Sequence, residues 1–98
     1  MKLHLKAKVP NEGARRLARW LGEQRCADAA FESVARQIGS HVSIVDRLIS
    51  GEIEPGAMVA HAVWVATEGA VHRRDWRRAP EGGWFDAPAP HTAERLAA

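Results

Sequence analysis

One cysteine, Cys26, is all the sequence holds. An internal disulfide and a cysteine-based zinc site are therefore excluded. A packing or surface thiol is the default for Cys26 rather than a nucleophile, and a reducing cytoplasm is the expected compartment. No apolar run approaches the roughly 20 residues of a membrane span, and "MKLHLKAKVP" lacks the apolar region of a secretion signal. The histidines (His4, His41, His61, His72 and His91) show no ligand spacing, so no metal site and no cofactor is expected. Glu52 and Glu54 share an exposed loop and do not make an acid–base pair. "EGG" at Glu81–Gly83 is not followed by the lysine and helix of a phosphate loop. No catalytic residue is singled out, and the chain is not expected to be an enzyme. There is no internal repeat.

What remains is one small domain of 98 residues. A core of that size is modest, so dimerisation or tight helix packing is expected to support it. The net charge of +2 is uninformative, but its distribution is not. Residues 1–25 carry seven basic side chains against Glu12 and Glu23. Residues 26–70 carry only Arg36 and Arg47 against six acids. Beyond them, four arginines crowd into "HRRDWRR". An acidic centre thus lies between basic flanks.

The chain divides into a segment 1–10, a helical domain 11–78 and a Pro/Gly/Ala-rich tail 79–98. In the first segment Leu3, Leu5, Ala7 and Val9 alternate with Lys2, His4, Lys6 and Lys8. That is the period of a half-buried strand; a flexible basic arm is the alternative. Asn11 is placed to cap a first helix reaching about Gln24, with Leu17, Trp20 and Leu21 on its apolar stripe. Arg15, Arg16 and Arg19 lie off that stripe, on an expected solvated face or in contact with phosphate. A second helix is expected over Asp28–Ile38, with Asp28 as its cap and Gly39 as its stop. A third runs from Ser40 or His41 to just before Gly51, with Ile44, Val45, Leu48 and Ile49 inward.

The fourth helix, about Gly56 to Thr67, is apolar nearly all round, which implies burial on more than one side. A small domain covers one face; His61, Trp64 and Val65 fall on the other and form the expected dimer interface. Gly69 should stop this helix. Val71 and Trp76 can anchor a last turn, "VHRRDW". From Ala79 the chain should be mostly mobile, except that the pair Trp84–Phe85 should dock.

Ala35, Gly39, Val45, Leu48 and Gly51 fall at the spacing that a helix-turn-helix requires. The small residue lets the helices approach, the glycine takes positive φ in the turn, and the apolar residues follow on the second helix. With "ATEGAV" at Ala66–Val71 and "HRRDW" at His72–Trp76, the stretch Phe31–Trp76 resembles the small Cro-type phage repressors, in particular the YdaS-like group. The resemblance implies an all-α, compact five-helix lambda-repressor-like domain. It also implies a cytoplasmic phage or prophage transcriptional regulator, binding a palindromic operator in double-stranded DNA as a homodimer. Carried over residue by residue, His41, Val42, Ser43, Asp46, Arg47 and Ser50 would face the major groove, with Arg36 beside them. Arg47 would pair with guanine, Val42 would touch a thymine methyl, and Asp46 would accept from cytosine. The sequence departs from the family at Val42, where a polar residue such as Gln is usual. It departs again at "GEIEPG", where basic residues are usual and where Glu52 and Glu54 would repel phosphate. The alternative expectation is a Cro-like scaffold that binds another protein, as an anti-repressor, inhibitor or DNA mimic. Its contact would be the acidic central surface or the apolar fourth helix.

Overall fold

The computed structural model describes Leu5 and residues 8–86. Its elements are α1 (Glu12–Gly22), α2 (Ala27–Ile38), α3 (Ser43–Ser50), α4 (Ala57–Ala66) and a 3-10 helix, η1 (Arg73–Arg77). The described part is all-α. It has four α-helices, and the expected fifth helix is the short 3-10 turn η1. No strand occurs among the described residues. Of the alternating N-terminal segment, Leu5 is half-buried against the core and Val9 is buried. Residues 1–4, 6 and 7 lie outside the described residues, and so do residues 87–98.

The helix boundaries follow from local chemistry. Asn11 has an extended backbone, and its Oδ1 accepts the Ala14 N–H at 2.7 Å. This satisfies one of the unpaired amides at the start of a helix. The first turn of α1 is also tied to η1, because Glu12 N donates to the Arg78 carbonyl at 3.0 Å. The start of α2 corrects the sequence reading: Cys26 is the cap residue, with no side-chain cap bond, and Asp28 sits inside the first turn. A carboxylate there still meets the positive end of the helix dipole. Gly39 ends α2 at φ 81°, and the N–H of Ser40 returns to Ala35 O at 3.0 Å. Gly51 ends α3 in the same way, with Glu52 N on Arg47 O at 3.1 Å. A side chain at position 51 would be excluded twice, by φ 79° and by Pro10, whose Cβ would lie 2.6 Å away.

α4 ends at Ala66 with Thr67 as its cap, as expected, and the N–H of Gly69 returns to Trp64 O at 2.9 Å. The buried Thr67 hydroxyl donates to Val63 O at 2.8 Å and accepts from Val71 N at 3.2 Å. The chain then turns through positive φ at Glu68 and Gly69. His72 opens η1 with a reciprocal cap: its Nδ1 accepts from Arg74 N, and Asp75 Oδ2 accepts from His72 N at 2.8 Å.

The core joins Leu17 and Leu21 of α1, Phe31 and Val34 of α2, Val45 and Leu48 of α3, and Val63 of α4, with Val71 and Trp76 as the expected anchors. Gly13 lets α1 lie against the Trp76 indole; a Cβ there would sit 2.6 Å from Cε3. The indole Nε1 is buried without a hydrogen-bond partner. Trp84 packs on the core as expected, but its neighbour Phe85 is 88% exposed and does not dock.

Candidate nucleic-acid interface and the charged face that is not one

The sequence put Arg15 and Arg16 on a solvated or phosphate-binding face. The structure buries both, at 1% and 5% exposure, together with Glu12 and Asp75 at 0%. Glu12 is the centre of this network. Its carboxylate accepts from Arg15 Nε at 2.8 Å, Arg16 Nε at 2.7 Å and the backbone N–H of Glu81 at 2.8 Å. Arg16 reaches the Glu81 carboxylate at 3.1 Å and lies 3.7 Å from Asp75. Arg78 bridges Asp75 and Glu81 at 3.2 and 2.8 Å. Arg15 also donates to the Asp86 carbonyl at 2.6 Å. The segment from Ala79, expected to be mostly mobile, is thus held against α1 as far as Asp86. Burial pushes the Glu12 carboxyl up. Hydrogen bonds from Arg15, the Glu81 amide and Arg16, with the charge of Arg15, outweigh it and hold the group below its ordinary range. These arginines complete the fold and are not presented to a ligand. Of the α1 arginines only Arg19 is partly exposed, 3.8 Å from Glu23.

The sequence missed this network. The signal within reach was local, since Glu12, Arg15 and Arg16 stand at i, i+3 and i+4, the spacing of helical neighbours.

The seven residues assigned to DNA separate into two groups. Arg36, His41, Ser43 and Arg47 are exposed. His41 Nδ1 accepts from Ser43 N at 3.2 Å and lies 3.3 Å from Ser43 Oγ, which ties the side chain to the start of α3. Arg47 Nε lies 3.9 Å from Glu52 Oε2, both side chains being well exposed. Such a surface pair is weak. Val42, Asp46 and Ser50 are half-buried. Val42 packs on the core, which takes up much of the methyl surface assigned to thymine. Ser50 Oγ donates to Arg47 O at 3.1 Å on its own helix. Exposed are therefore Arg36 on α2, His41 before α3 and Ser43 and Arg47 on it, with Glu52 3.9 Å from Arg47.

On α4 the inward residues are Ala60 and Val63. Of the expected interface, His61 is exposed and Val65 is 45% exposed. Trp64 is half-buried and already has neighbours in its own chain. The Arg73 guanidinium lies over its ring at 5.2 Å, and the His61 ring is tilted against it at 5.5 Å. Trp64 therefore does not head this face. Met58, not singled out from the sequence, is 87% exposed; it precedes Val65 by seven residues, two helical turns, on the same side. Among the described residues no three of His, Cys, Asp or Glu gather to hold a metal ion. No helix among them is long and apolar enough to cross a membrane.

Comparison with protein-family models, with curated proteins and with solved structures gives no match for this chain.

Proposed function

We propose that this chain is a DNA-binding transcriptional regulator of the Cro type. It carries a lambda-repressor-like helix-turn-helix in α2 and α3 and acts as a homodimer on a palindromic operator in the cytoplasm. The observation that carries the reading is the α2–α3 unit: both helices end at a left-handed glycine, Ala35 is buried, and Arg36, His41, Ser43 and Arg47 remain exposed. Arg47 reads guanine and Ser43 a neighbouring base edge, as side chains at the start of such a helix do. Phosphate contact rests on Arg36 and other exposed basic groups, because Arg15 and Arg16 are enclosed.

A second reading has an observation in its favour. Glu52, 3.9 Å from Arg47, and Glu54 are exposed, and Met58 and Val65 present apolar surface on α4. A Cro-like scaffold that binds a protein would use these groups. Selection of bound DNA from random duplexes at two salt concentrations separates the readings. Enrichment of a palindrome with steep salt dependence supports the regulator. No enrichment, with a basic partner protein captured by the wild type and lost on changing Glu52 and Glu54 to Lys, supports the scaffold and ends the first reading.

A further inference from the structure

A cleft of about 430 Å³ opens where three separate parts of the chain meet. Pro10 and the cap residue Asn11 border it from the start of α1. Gly51, Ile53 and Glu54 border it from the loop after α3, and Trp76 and Arg77 from η1. The volume falls within the roughly 300–1,000 Å³ common to small-molecule sites. The walls hold several polar groups that nothing among the described residues uses. The Arg77 guanidinium and the Glu54 carboxylate are exposed, and neither has an ion-pair or hydrogen-bond partner there. Arg78, in the same wall, differs: Asp75 and Glu81 already hold it. Glu54 and Arg77 thus share one cleft without pairing with each other, which leaves room for a ligand that touches both. Asn11 accepts the Ala14 N–H through Oδ1, and its Nδ2 has no partner. Trp76 is buried, and its Nε1 has no acceptor. An enclosed donor in that state calls for a partner. Ile53, half-buried against the core, and Pro10 give the cleft an apolar side.

We propose that this cleft binds a small zwitterion, an α-amino acid with an apolar side chain. Its carboxylate meets the Arg77 guanidinium and Asn11 Nδ2, with the Trp76 indole N–H as a further donor. Its ammonium meets Glu54, and its side chain lies on Ile53 and Pro10. A plain anion would use the donors and be repelled by Glu54; a plain cation would use Glu54 and be repelled by Arg77. A ligand that carries both charges close together satisfies both walls, and an amino acid carries them on one carbon. Hydrogen bonds to ionised groups are the stronger kind, so removing either charge from the ligand should show clearly in affinity. Gly51 closes α3 and also lines the cleft, so an occupied cleft ties the end of α3 to the start of α1 and to η1. This site goes beyond the DNA reading and does not depend on it.

The test is a titration of the isotope-labelled full chain with L-leucine, L-valine and L-proline, followed by NMR and calorimetry. L-leucine should bind with a Kd on the order of 1 mM or tighter. The backbone signals of Ile53, Glu54 and Arg77 should move and saturate. So should the indole N–H signal of Trp76, identified by its loss in Trp76→Phe. Leucinamide lacks the carboxylate and N-acetyl-leucine lacks the ammonium; each should bind about tenfold more weakly or worse. Glu54→Gln and Arg77→Gln should each weaken leucine binding by about tenfold. Both side chains are exposed and unpartnered, so the urea midpoint of each variant should stay unchanged. No saturable shift with any of the three amino acids at about 20 mM overturns the proposal. Equal binding of leucine and either singly charged analogue overturns it too, and so does a folded Glu54→Gln, Arg77→Gln double variant that binds as the wild type does. Sodium acetate moving the same signals equally far would show a general response to anions and overturn it as well. A chain that binds leucine in this way and selects no DNA keeps the site and loses the DNA reading alone.

Discussion

α1 and α4 treat their side chains in opposite ways. α1 turns a glutamate and two arginines into the protein, while α4 leaves a methionine almost fully in solvent and a valine half in it. What lies opposite each helix explains the inversion. Facing α1 are Asp75 of η1, Arg78 just after it and Glu81 from the segment beyond, so three carboxylates meet three guanidiniums. Among the described residues nothing covers Met58 and Val65 on the outward side of α4. Hydropathy states what a side chain costs to bury alone; it is silent about the partners that arrive from elsewhere in the sequence.

The sharpest way to break this contrast is Glu12→Ala. It leaves Arg15 and Arg16 enclosed without their central acceptor, and should lower stability by about 3–5 kcal/mol. Urea unfolding followed by tryptophan fluorescence reads the loss; a change under about 1 kcal/mol would mean that the network is solvated in solution. Acid acts on the same group. Because the folded carboxyl ionises below its ordinary range, the unfolded chain binds the proton more readily. The contribution of Glu12 is therefore full above the ordinary glutamate value of about 4.3 and drains away as pH falls through the lower folded value. Wild-type stability should decline across that acid window, and Glu12→Gln should flatten the decline; unfolding curves at stepped pH measure both. Gly13→Ala forces a methyl group into the Trp76 indole and should cost about 1–3 kcal/mol, seen as a lower urea midpoint with an unchanged slope. Smallest of all, Arg47→Ala on the open side should alter stability by no more than about 0.5 kcal/mol. If Arg47 reads a base, the same change should weaken binding of a selected duplex by about 1–3 kcal/mol and relax preference at one base pair.

Local chemistry was legible before the structure. Asn11 capped α1, Gly39 and Gly51 closed α2 and α3, and the stripes of Phe31, Val34 and Ala35 and of Val45, Leu48 and Ile49 turned inward, with Ile38 and Ile44 half-buried. Each depends on groups within a few residues of one another. The misplaced features depend on distant ones. Arg16 meets an acid 65 residues on, and the Glu12 carboxylate takes an amide 69 residues on. Nothing near "GARRLARW" announces either. Trp64 was assigned to an open face; Arg73, which lies over its ring at 5.2 Å, comes from beyond the end of the helix. Of the residues that the spacing selected, Ser43, Asp46, Arg47 and Ser50 lie on α3 and Val42 at its start. Which of them kept free side chains was decided by packing, as with Val42, and by a bond within the helix, as with Ser50.

The span of those two contacts also bears on when α1 can dock. Until Glu81 has been synthesised and brought back, Arg16 lacks one of its acceptors and Glu12 lacks its amide, so the polar side of α1 favours water over the core. Long-range closure of this kind carries a large loop entropy and tends to come late. Arg16→Ala should then mainly speed unfolding and leave the refolding rate nearly unchanged, whereas Val34→Ala, at the contact of neighbouring helices, should slow refolding. Those rates would make the clasp between Glu12, Arg16 and Glu81 a latch on unfolding, one that closes after the helices have found one another and sets how long they stay together.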